Sequence, residues 1–304
     1  MAKRIMLIIN PKAGKGGYRN ELADILDSLC ADGASVTIFY TRHSGHATEL
    51  ALSYGADFDT IACIGGDGTL AETISGVMAL EARPPIGYIP MGTANDMATT
   101  FGLPKDAAQA ATVIRTGRPT AIDVGLFNKQ HFAYIAAFGA FTEVAYETPA
   151  QAKQMMGHFA YVLEGFSRLT KIKPQKLTVS YNGGEISGEY IFGAVSNTTS
   201  IAGFLKLRSE LVDLGDGAFE VILVKNPSNI IGFNQMLLDV MTRKYDTEHI
   251  QIFRAKDIHF HFESPTAWTC DGEDGGVHTD VHLHALQPGV QILLPRAERI
   301  NESF

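Results

Sequence analysis

The sequence predicts an α/β N-terminal domain built on a parallel sheet, followed by a β-rich, antiparallel C-terminal domain. Strand-like and helix-like segments alternate over roughly the first 125 residues and are joined by short glycine-rich connections, as in βαβ units. After that point, long segments rich in β-forming residues follow one another. A chain of 304 residues is long enough for two domains with a hydrophobic core each.

The N-terminal elements follow from apolar runs and the glycines that end them. We predict strands at 4–10, 34–41, 59–66 and 85–90, and helices at 18–31, 46–55, 69–80 and from 93 onward. The strand segments are apolar at consecutive positions rather than at alternate ones. We therefore expect these strands to be covered on both faces of the sheet.

In the C-terminal half, β-forming residues fill segments 176–197, 217–226, 249–264 and 281–295. Asn182-Gly183-Gly184 indicates a tight hairpin turn. Helices are predicted at 150–169 and 230–242. We expect an α/β domain over 1–125, with return of the tail 290–304 to it left open, and a β-rich domain over 126–289.

Composition narrows the function classes. The net charge is −8 and no run of Lys or Arg is present, so nucleic acid is not the expected partner. The three cysteines, Cys30, Cys63 and Cys270, are far apart and form no CxxC pair, which argues for a reducing cytoplasm and against a disulfide framework. The longest apolar stretch, 132–141, is about half of what a membrane-spanning helix needs, so no transmembrane segment is expected.

Glycine-rich sequence follows three of the predicted strands, at 10–17, 65–73 and 90–98. Glycines allow backbone N–H groups to approach an anion, and the N-terminus of the following helix favours negative charge. A single such loop is equally well explained as a tight βα turn, whereas three at one sheet edge favour phosphate binding. The loops match neither GxxxxGK[ST] nor GxGxxG after a strand.

Asp67 stands among the glycines of Gly65-Gly66-Asp67-Gly68-Thr69. A carboxylate in an anion site is repulsive unless it acts through a cation or accepts a hydroxyl hydrogen bond. Since Mg²⁺ is held by one or two carboxylates together with substrate phosphates, Asp67 indicates a site for a magnesium nucleotide.

These motifs resemble the diacylglycerol kinase catalytic family. The resemblance rests on NPKAGKG at 10–16, Thr41 followed by GHA at 45–47, GGDGT at 65–69 and MGTANDMA at 91–98. It continues with LVDLGDGAFEVILV at 211–224 and with WTCDGED at 268–274, and so spans nearly the whole chain in order. It implies a lipid kinase that uses ATP and Mg²⁺.

The resemblance also implies roles for individual residues. The ATP site is lined by Asn10, Pro11, Lys12, Ala13, Gly14, Thr41, Gly66, Asp67, Gly68, Thr69, Leu70, Ala71, Glu72, Thr93 and Asn95, with Asp96 supporting the loops. Asp67 holds the catalytic Mg²⁺. Glu273 is the general base that takes the proton from the lipid hydroxyl, so the active site is expected in a cleft between the two halves.

A second, structural Mg²⁺ is implied at Asp213, Asp216 and the backbone carbonyl of Ala218. The segment LGDG at 214–217 is also a good turn sequence, so a purely structural turn stays open here. The chain departs from the family at Thr99, where many members have Arg.

The expected substrate is diacylglycerol at the membrane surface, giving phosphatidate, for a cytoplasmic protein peripheral to the membrane. The alternatives are another lipid alcohol (a sphingoid base, a monoacylglycerol or phosphatidylglycerol) and a catalytically silent nucleotide-binding module. The presence of both Asp67 and Glu273 speaks against the silent module. Homodimer formation is left open.

Overall fold

The computed structural model describes residues 2–139, 173–201, 205–206, 213–227, 229–242, 244–245 and 247–296. The helix predicted at 150–169 lies outside these residues. The chain divides into an N-terminal unit, Met1–Ile122 together with the chain from Pro288 onward, and a β-rich unit, Asp123–Gln287.

The N-terminal unit is an α/β fold. Its strands are β1 (Arg4–Ile9), β2 (Ser35–Tyr40), β3 (Thr60–Gly65) and β4 (Ile86–Pro90). Its helices are α1 (Tyr18–Cys30), α2 (His46–Tyr54), α3 (Asp67–Met78), α4 (Asp96–Thr100) and α5 (Ala107–Thr116). β1 pairs in parallel with β2 and with β3, and β3 pairs in parallel with β4. Parallel pairing places the loops after β1, β3 and β4 at one edge.

Three of these strands are buried as predicted, and one is not. β1 is buried from Ile5 onward, and β3 and β4 are buried throughout. The expectation of coverage on both faces is wrong for β2, whose residues are exposed or half-buried along its whole length. β2 stands at the end of the strand order, so it has one neighbouring strand, and its apolar sequence does not reveal that position.

Helix α3 begins at Asp67, two residues before the predicted start at Thr69. Gly66 precedes it with extended backbone (φ −94°, ψ −174°), so the motif GGDGT bends from strand to helix at that glycine. Asp67 therefore lies in the first helical turn, where the helix dipole favours a negative side chain.

The β-rich unit is antiparallel. Its strands are β5 (Arg118–Phe127, which begins in the N-terminal unit), β6 (Gln130–Phe132), β7 (Ile135–Gly139), β8 (Gln175–Tyr181), β9 (Gly184–Ser196), β10 (Ser200–Ile201), β11 (Leu205–Lys206), β12 (Phe219–Lys225), β13 (Ile250–Ala255), β14 (Asp257–Cys270) and β15 (Glu273–Leu294), and its helix is α6 (Ile230–Met241). β9 pairs antiparallel with β7, β8 and β12, and β14 pairs antiparallel with β7, β8 and β15.

An aromatic core holds β14 in place. Trp268 is almost fully buried and lies 4.9 Å from the ring of Phe138 and 5.2 Å from that of Phe260 (centroid distances). Such pairs contribute about 0.5–1.5 kcal/mol each beyond their buried area. This packing fixes the strand that leads directly into the Asp271-Gly272-Glu273 motif.

Two tight turns of the same geometry close hairpins in this unit. Asn182 and Gly183, at φ 46° and 80°, join β8 to β9, which confirms the predicted hairpin. Asp271 and Gly272, at φ 53° and 87°, join β14 to β15. A left-handed φ at both central residues matches the right-handed twist of paired strands.

β15 belongs to both units. It begins in the β-rich unit and ends in the N-terminal unit, where Ile292 pairs in parallel with Ile86 of β4. Among the described residues, every helix is too short or too polar to cross a bilayer.

Candidate functional site

The three glycine-rich loops of the N-terminal unit pack against one another. The Nδ2 group of Asn10 donates to Oγ1 of Thr69 over 3.0 Å, which joins the first loop to the second. A Cβ on Gly92 would lie 2.5 Å from the Cα atom of Gly66, and one on Gly14 would lie 2.6 Å from the carbonyl oxygen of Met91. The loops therefore meet at one edge of the sheet, and their glycines are needed for that close approach.

Asp67 ties the second loop to the third. Its Oδ2 atom accepts from the N–H of Asp96 and its Oδ1 atom from the N–H of Met97, both over 3.0 Å. Burial raises the pKa of this carboxyl, and the two N–H groups partly offset that rise. A hydrogen bond from the backbone N–H of Asn95 also lowers the pKa of Asp67. The carboxylate thus braces the start of α4, a role that the motif alone does not reveal.

Asn95 closes the third loop on itself. Its Oδ1 atom accepts from the N–H of Gly92 over 2.8 Å, and its Nδ2 group donates to the carbonyl of Gly92 over 3.0 Å. Asn95 has a left-handed backbone, φ 54°, which asparagine tolerates better than most residues. Thr93, between them, is exposed at the tip of the loop.

Glu72 faces α2 rather than the open side of the loops. Its two carboxylate oxygens accept from the N–H groups of Gly45 over 2.8 Å and Ala47 over 3.0 Å. These bonds satisfy amides at the start of α2 that would otherwise lack partners. They hold in place the segment that follows Thr41. Thr41 is itself buried, and its N–H donates to the carbonyl oxygen of Ile9 over 2.9 Å.

The remaining residues predicted to contact the nucleotide differ in how far their side chains are exposed. Leu70 and Ala71 are buried in α3, so they offer a ligand little of their side chains. Lys12 is exposed, and Pro11 and Ala13 are half-buried beside a short 3-10 turn, Ala13–Gly16.

The first turn of α3 opens onto free space. A Cβ on Gly68 would meet no atom within 4 Å. The first amide of the turn that donates back to Gly66 is that of Thr69, over 3.0 Å. The amides before it have the orientation in which a helix N-terminus binds phosphate oxygens.

In the β-rich unit, Asp271 anchors the turn between β14 and β15. Its Oδ2 atom accepts from the N–H of Ala133 over 2.5 Å, and its Oδ1 atom accepts from those of Tyr134 and Ile135 over 3.0 Å each. Its own N–H donates to the carbonyl of Ile135 over 2.8 Å. Glu273 follows as the first residue of β15 and is exposed.

The predicted metal residues belong to a larger acidic group. Asp216 accepts from the N–H of Ala218 over 3.1 Å and forms an ion pair with Arg254. Asp213 accepts from the N–H of Gly215 over 3.2 Å, and Asp123 accepts from Gly217. Burial, together with the charges of Asp216 and Asp213, raises the pKa of Asp123.

Asp123 and Arg254 are absent from the sequence-based site. The sequence does contain a signal for Asp123: it is the one acid in the apolar segment TAIDVGLF at 120–127, and a buried carboxylate needs a partner. No sequence pattern points to Arg254, since it lies in an ordinary strand 38 residues from Asp216. Asp213 and Asp216 offer carboxylate oxygens, the ligand type that Mg²⁺ prefers, and Arg254 lies beside Asp216 as a cation. The ligand atoms of Asp123, Asp213 and Asp216 do not all lie within 4.8 Å of one another.

A trio of surface residues in the N-terminal unit also offers metal ligands. The ligand atoms of His43, His46 and Glu49 lie within 4.8 Å of one another. The two imidazoles are stacked, however, with centroids 4.6 Å apart and planes at 27°, so their in-plane lone pairs do not converge. Nδ1 of His46 already accepts from the N–H of Arg42 over 3.0 Å. The trio as it stands is not a metal centre.

The chain is similar to known kinases over most of its length. Residues 4–127 match the family model described as the diacylglycerol kinase catalytic domain. A curated relative from Staphylococcus aureus (strain bovine RF122 / ET3-1), named diacylglycerol kinase, is 35% identical over 279 residues, covering 91% of this chain and 88% of that protein.

Two crystal structures from Bacillus anthracis str. Sterne have the same fold. One has a TM-score of 0.82 at 28% identity and covers 97% of this chain and 96% of its own. The other, named a diacylglycerol kinase, has a TM-score of 0.76 at 26% identity and covers 97% of this chain and 98% of its own.

Proposed function

Because this chain belongs to the diacylglycerol kinase family, we propose that it transfers the γ-phosphate of ATP to the hydroxyl of diacylglycerol, giving phosphatidate, in a reaction that requires Mg²⁺. The observation that supports this most directly is the meeting of three glycine loops at one sheet edge, with the start of α3 open beside Asp67. The lipid kinase activity then follows from the family, and the named substrate from the relatives.

The N-terminal unit binds and orients the nucleotide in this proposal. The amides of Gly66, Asp67 and Gly68 bind phosphate oxygens at the start of α3, where Gly68 leaves room. Asn10, Asn95 and Glu72 hold the three loops and the start of α2 in place through the bonds described above. Phosphoryl transfer depends mostly on such positioning and on charge neutralisation.

We assign a divalent cation to each of two places in the chain. Asp67 lies in the first turn of α3, beside the amides that bind phosphate in this proposal, and we assign it to the cation at the phosphates. Asp213, Asp216 and the carbonyl of Ala218 are assigned to a second, structural Mg²⁺, with Asp123 beside them as a further acid. Bound Mg²⁺ would neutralise phosphate charge beside Asp67. At Asp213 and Asp216 it would offset the repulsion between the carboxylates.

Glu273 is assigned the role of general base. It is exposed at the start of β15 and can accept the proton of a lipid hydroxyl from solvent-accessible space. Taking up that proton makes the hydroxyl oxygen a better nucleophile, which is worth roughly 10²–10⁴-fold in rate. The exposed location suits a substrate that is delivered from a membrane surface.

A lipid panel tests the proposal. The protein would be incubated with labelled ATP, Mg²⁺ and mixed micelles holding diacylglycerol, monoacylglycerol, a sphingoid base or phosphatidylglycerol. We expect labelled phosphatidate as the main product, and omission of Mg²⁺ should abolish it. A different labelled lipid would reassign the substrate, and no labelled lipid from any micelle would refute the kinase assignment in favour of a silent nucleotide-binding protein.

A further inference from the structure

Asp271 makes an unusual number of backbone contacts for a turn residue. Its carboxylate accepts three N–H groups, those of Ala133, Tyr134 and Ile135, and its own N–H donates back to Ile135. Ala133 and Tyr134 form the connection between β6 and β7, and Ile135 is the first residue of β7. All three lie more than 130 residues earlier in the chain. A hairpin turn needs no such anchor for its own geometry, because Asp-Gly already favours the left-handed conformations found here.

The anchor acts on the direction of the next strand. With φ fixed at Asp271 and Gly272, the first residue of β15 leaves the turn in one direction, and that residue is Glu273. The exposed Glu273 side chain has little packing of its own to hold it. Through Asp271, the N–H groups of Ala133, Tyr134 and Ile135 therefore set the direction in which the Glu273 carboxylate is presented.

We propose that Asp271 is the positioning residue of the catalytic base: by accepting three backbone N–H groups it fixes the turn from which Glu273 reaches the lipid hydroxyl. This inference rests on the proposed function, since it gives Asp271 a role only through Glu273. Charge-assisted hydrogen bonds to a carboxylate are stronger than neutral ones, so the acid is needed at this position and not merely a turn-forming residue.

Asp271→Asn tests the anchor with little effect on the turn. Asn-Gly is the preferred dipeptide for this turn type, so the hairpin should remain. The amide, however, turns an N–H₂ group toward backbone N–H donors, so at least one of the three bonds is lost. We expect kcat to fall about 10–100-fold, while KM for ATP stays within about twofold, because catalytic misplacement lowers kcat without weakening nucleotide binding.

Two comparisons separate positioning from a general structural role. Asp274→Asn removes the same charge one residue beyond Glu273, where the acid accepts the N–H of Gly276 over 2.8 Å and no other among the described residues. Its kcat should stay within about twofold of that of the unmodified protein. In a Glu273→Gln background, Asp271→Asn should lower kcat by less than about threefold, because a residue that acts through Glu273 then has no base to position.

Each outcome decides the inference. The inference is supported if Asp271→Asn lowers kcat much more in the unmodified protein than in Glu273→Gln. It is overturned if the two losses of kcat are equal, or if Asp271→Asn does not lower kcat in the unmodified protein. If Asp271→Asn does not fold by circular dichroism, Asp271→Gly, which tolerates the left-handed φ, takes its place in the same cycle. Absence of lipid phosphorylation by the unmodified protein would instead refute the proposed function, and this inference with it.

Discussion

Glu273 carries the sharpest prediction for a single residue. Glu273→Gln keeps the shape of the side chain but removes the proton acceptor, so lipid phosphorylation should fall about 10²–10⁴-fold. Binding of ATP, measured by calorimetry, should be unchanged because the nucleotide loops belong to the N-terminal unit. Glu263→Gln, an exposed glutamate on β14, serves as the matched control and should retain activity. Full turnover by Glu273→Gln would reject its assignment as the base.

Glu220 makes stability depend on pH. Its side chain is 1% exposed, Oε1 pairs with Arg254 over 3.1 Å, and Oε2 is without a hydrogen-bond partner among the described residues. Burial raises its pKa to about 7, although Arg254 partly offsets that rise. The folded protein thus binds more protons than the unfolded chain between the ordinary glutamate pKa and about 7, and stability falls as pH rises through that window.

The loss expected for Glu220 is at most about 3 kcal/mol in the free energy of unfolding between about pH 4.5 and pH 8. Urea unfolding across that range would measure it. Glu220→Gln should have a flatter profile, whereas Glu189→Gln, an exposed glutamate paired with Lys176 over 3.8 Å, should follow the unmodified protein. Parallel profiles for all three proteins would show that Glu220 does not titrate in this range.

At the scale of the secondary-structure elements, the start of α3 offers a contrast between two glycines. Gly68→Ala adds a methyl group where no atom lies within 4 Å, so the folded protein should be as stable or about 0.4–1 kcal/mol more stable. The same methyl group stands where we place the phosphates, so affinity for ATP should fall at least about tenfold. Unfolding in urea and calorimetric titration with ATP measure the two effects.

Gly92→Ala is the counterpart of that variant. Its Cβ would lie 2.5 Å from the Cα of Gly66, so it should lower stability and ATP affinity together by forcing the loops apart. Unchanged ATP binding by Gly68→Ala would place the nucleotide elsewhere, whatever Gly92→Ala does.

The sequence predicted the secondary-structure elements better than their burial and their long-range contacts. Strands β1 to β4 and helices α1 to α3 follow from apolar runs bounded by glycine, and the Asn182-Gly183 turn follows from local φ preference. Helix α5 was not predicted, and α4 begins at Asp96 rather than at 93. The exposure of β2 and the anchor at Asp271 could not be predicted, because each depends on what a distant part of the chain contributes. For Asp271 that part lies up to 138 residues away.

At the scale of the whole molecule, the acidic group in the β-rich unit predicts stabilisation by Mg²⁺ without nucleotide. Binding to the folded state alone raises stability by RT ln(1 + [Mg²⁺]/Kd), about 2.7 kcal/mol at a hundredfold excess over Kd. The thermal midpoint should therefore rise by a few degrees with added Mg²⁺. Asp213→Asn and Asp216→Asn should lose the shift, whereas Asp257→Asn, exposed at the start of β14, should keep it.

Arg254 gives this prediction a second readout. It is the cation paired with Asp216 in the structure, so Arg254→Gln should increase the affinity for Mg²⁺ by leaving the acids less neutralised. No Mg²⁺ response in the unmodified protein would leave LGDG at 214–217 as a plain turn, the alternative that the sequence allowed.

The path of β15 has a consequence for the order in which the protein is made. The N-terminal unit draws on the chain from Pro288 onward: Ile292 pairs with Ile86, Leu293 is buried in that unit's core, and Nη1 of Arg83 donates to the carbonyls of Pro288 and Gly289. During synthesis these residues leave the ribosome after the entire β-rich unit. The unit that is translated first is thus completed last, and a fragment ending at 122 would expose an edge of β4 that the full chain covers.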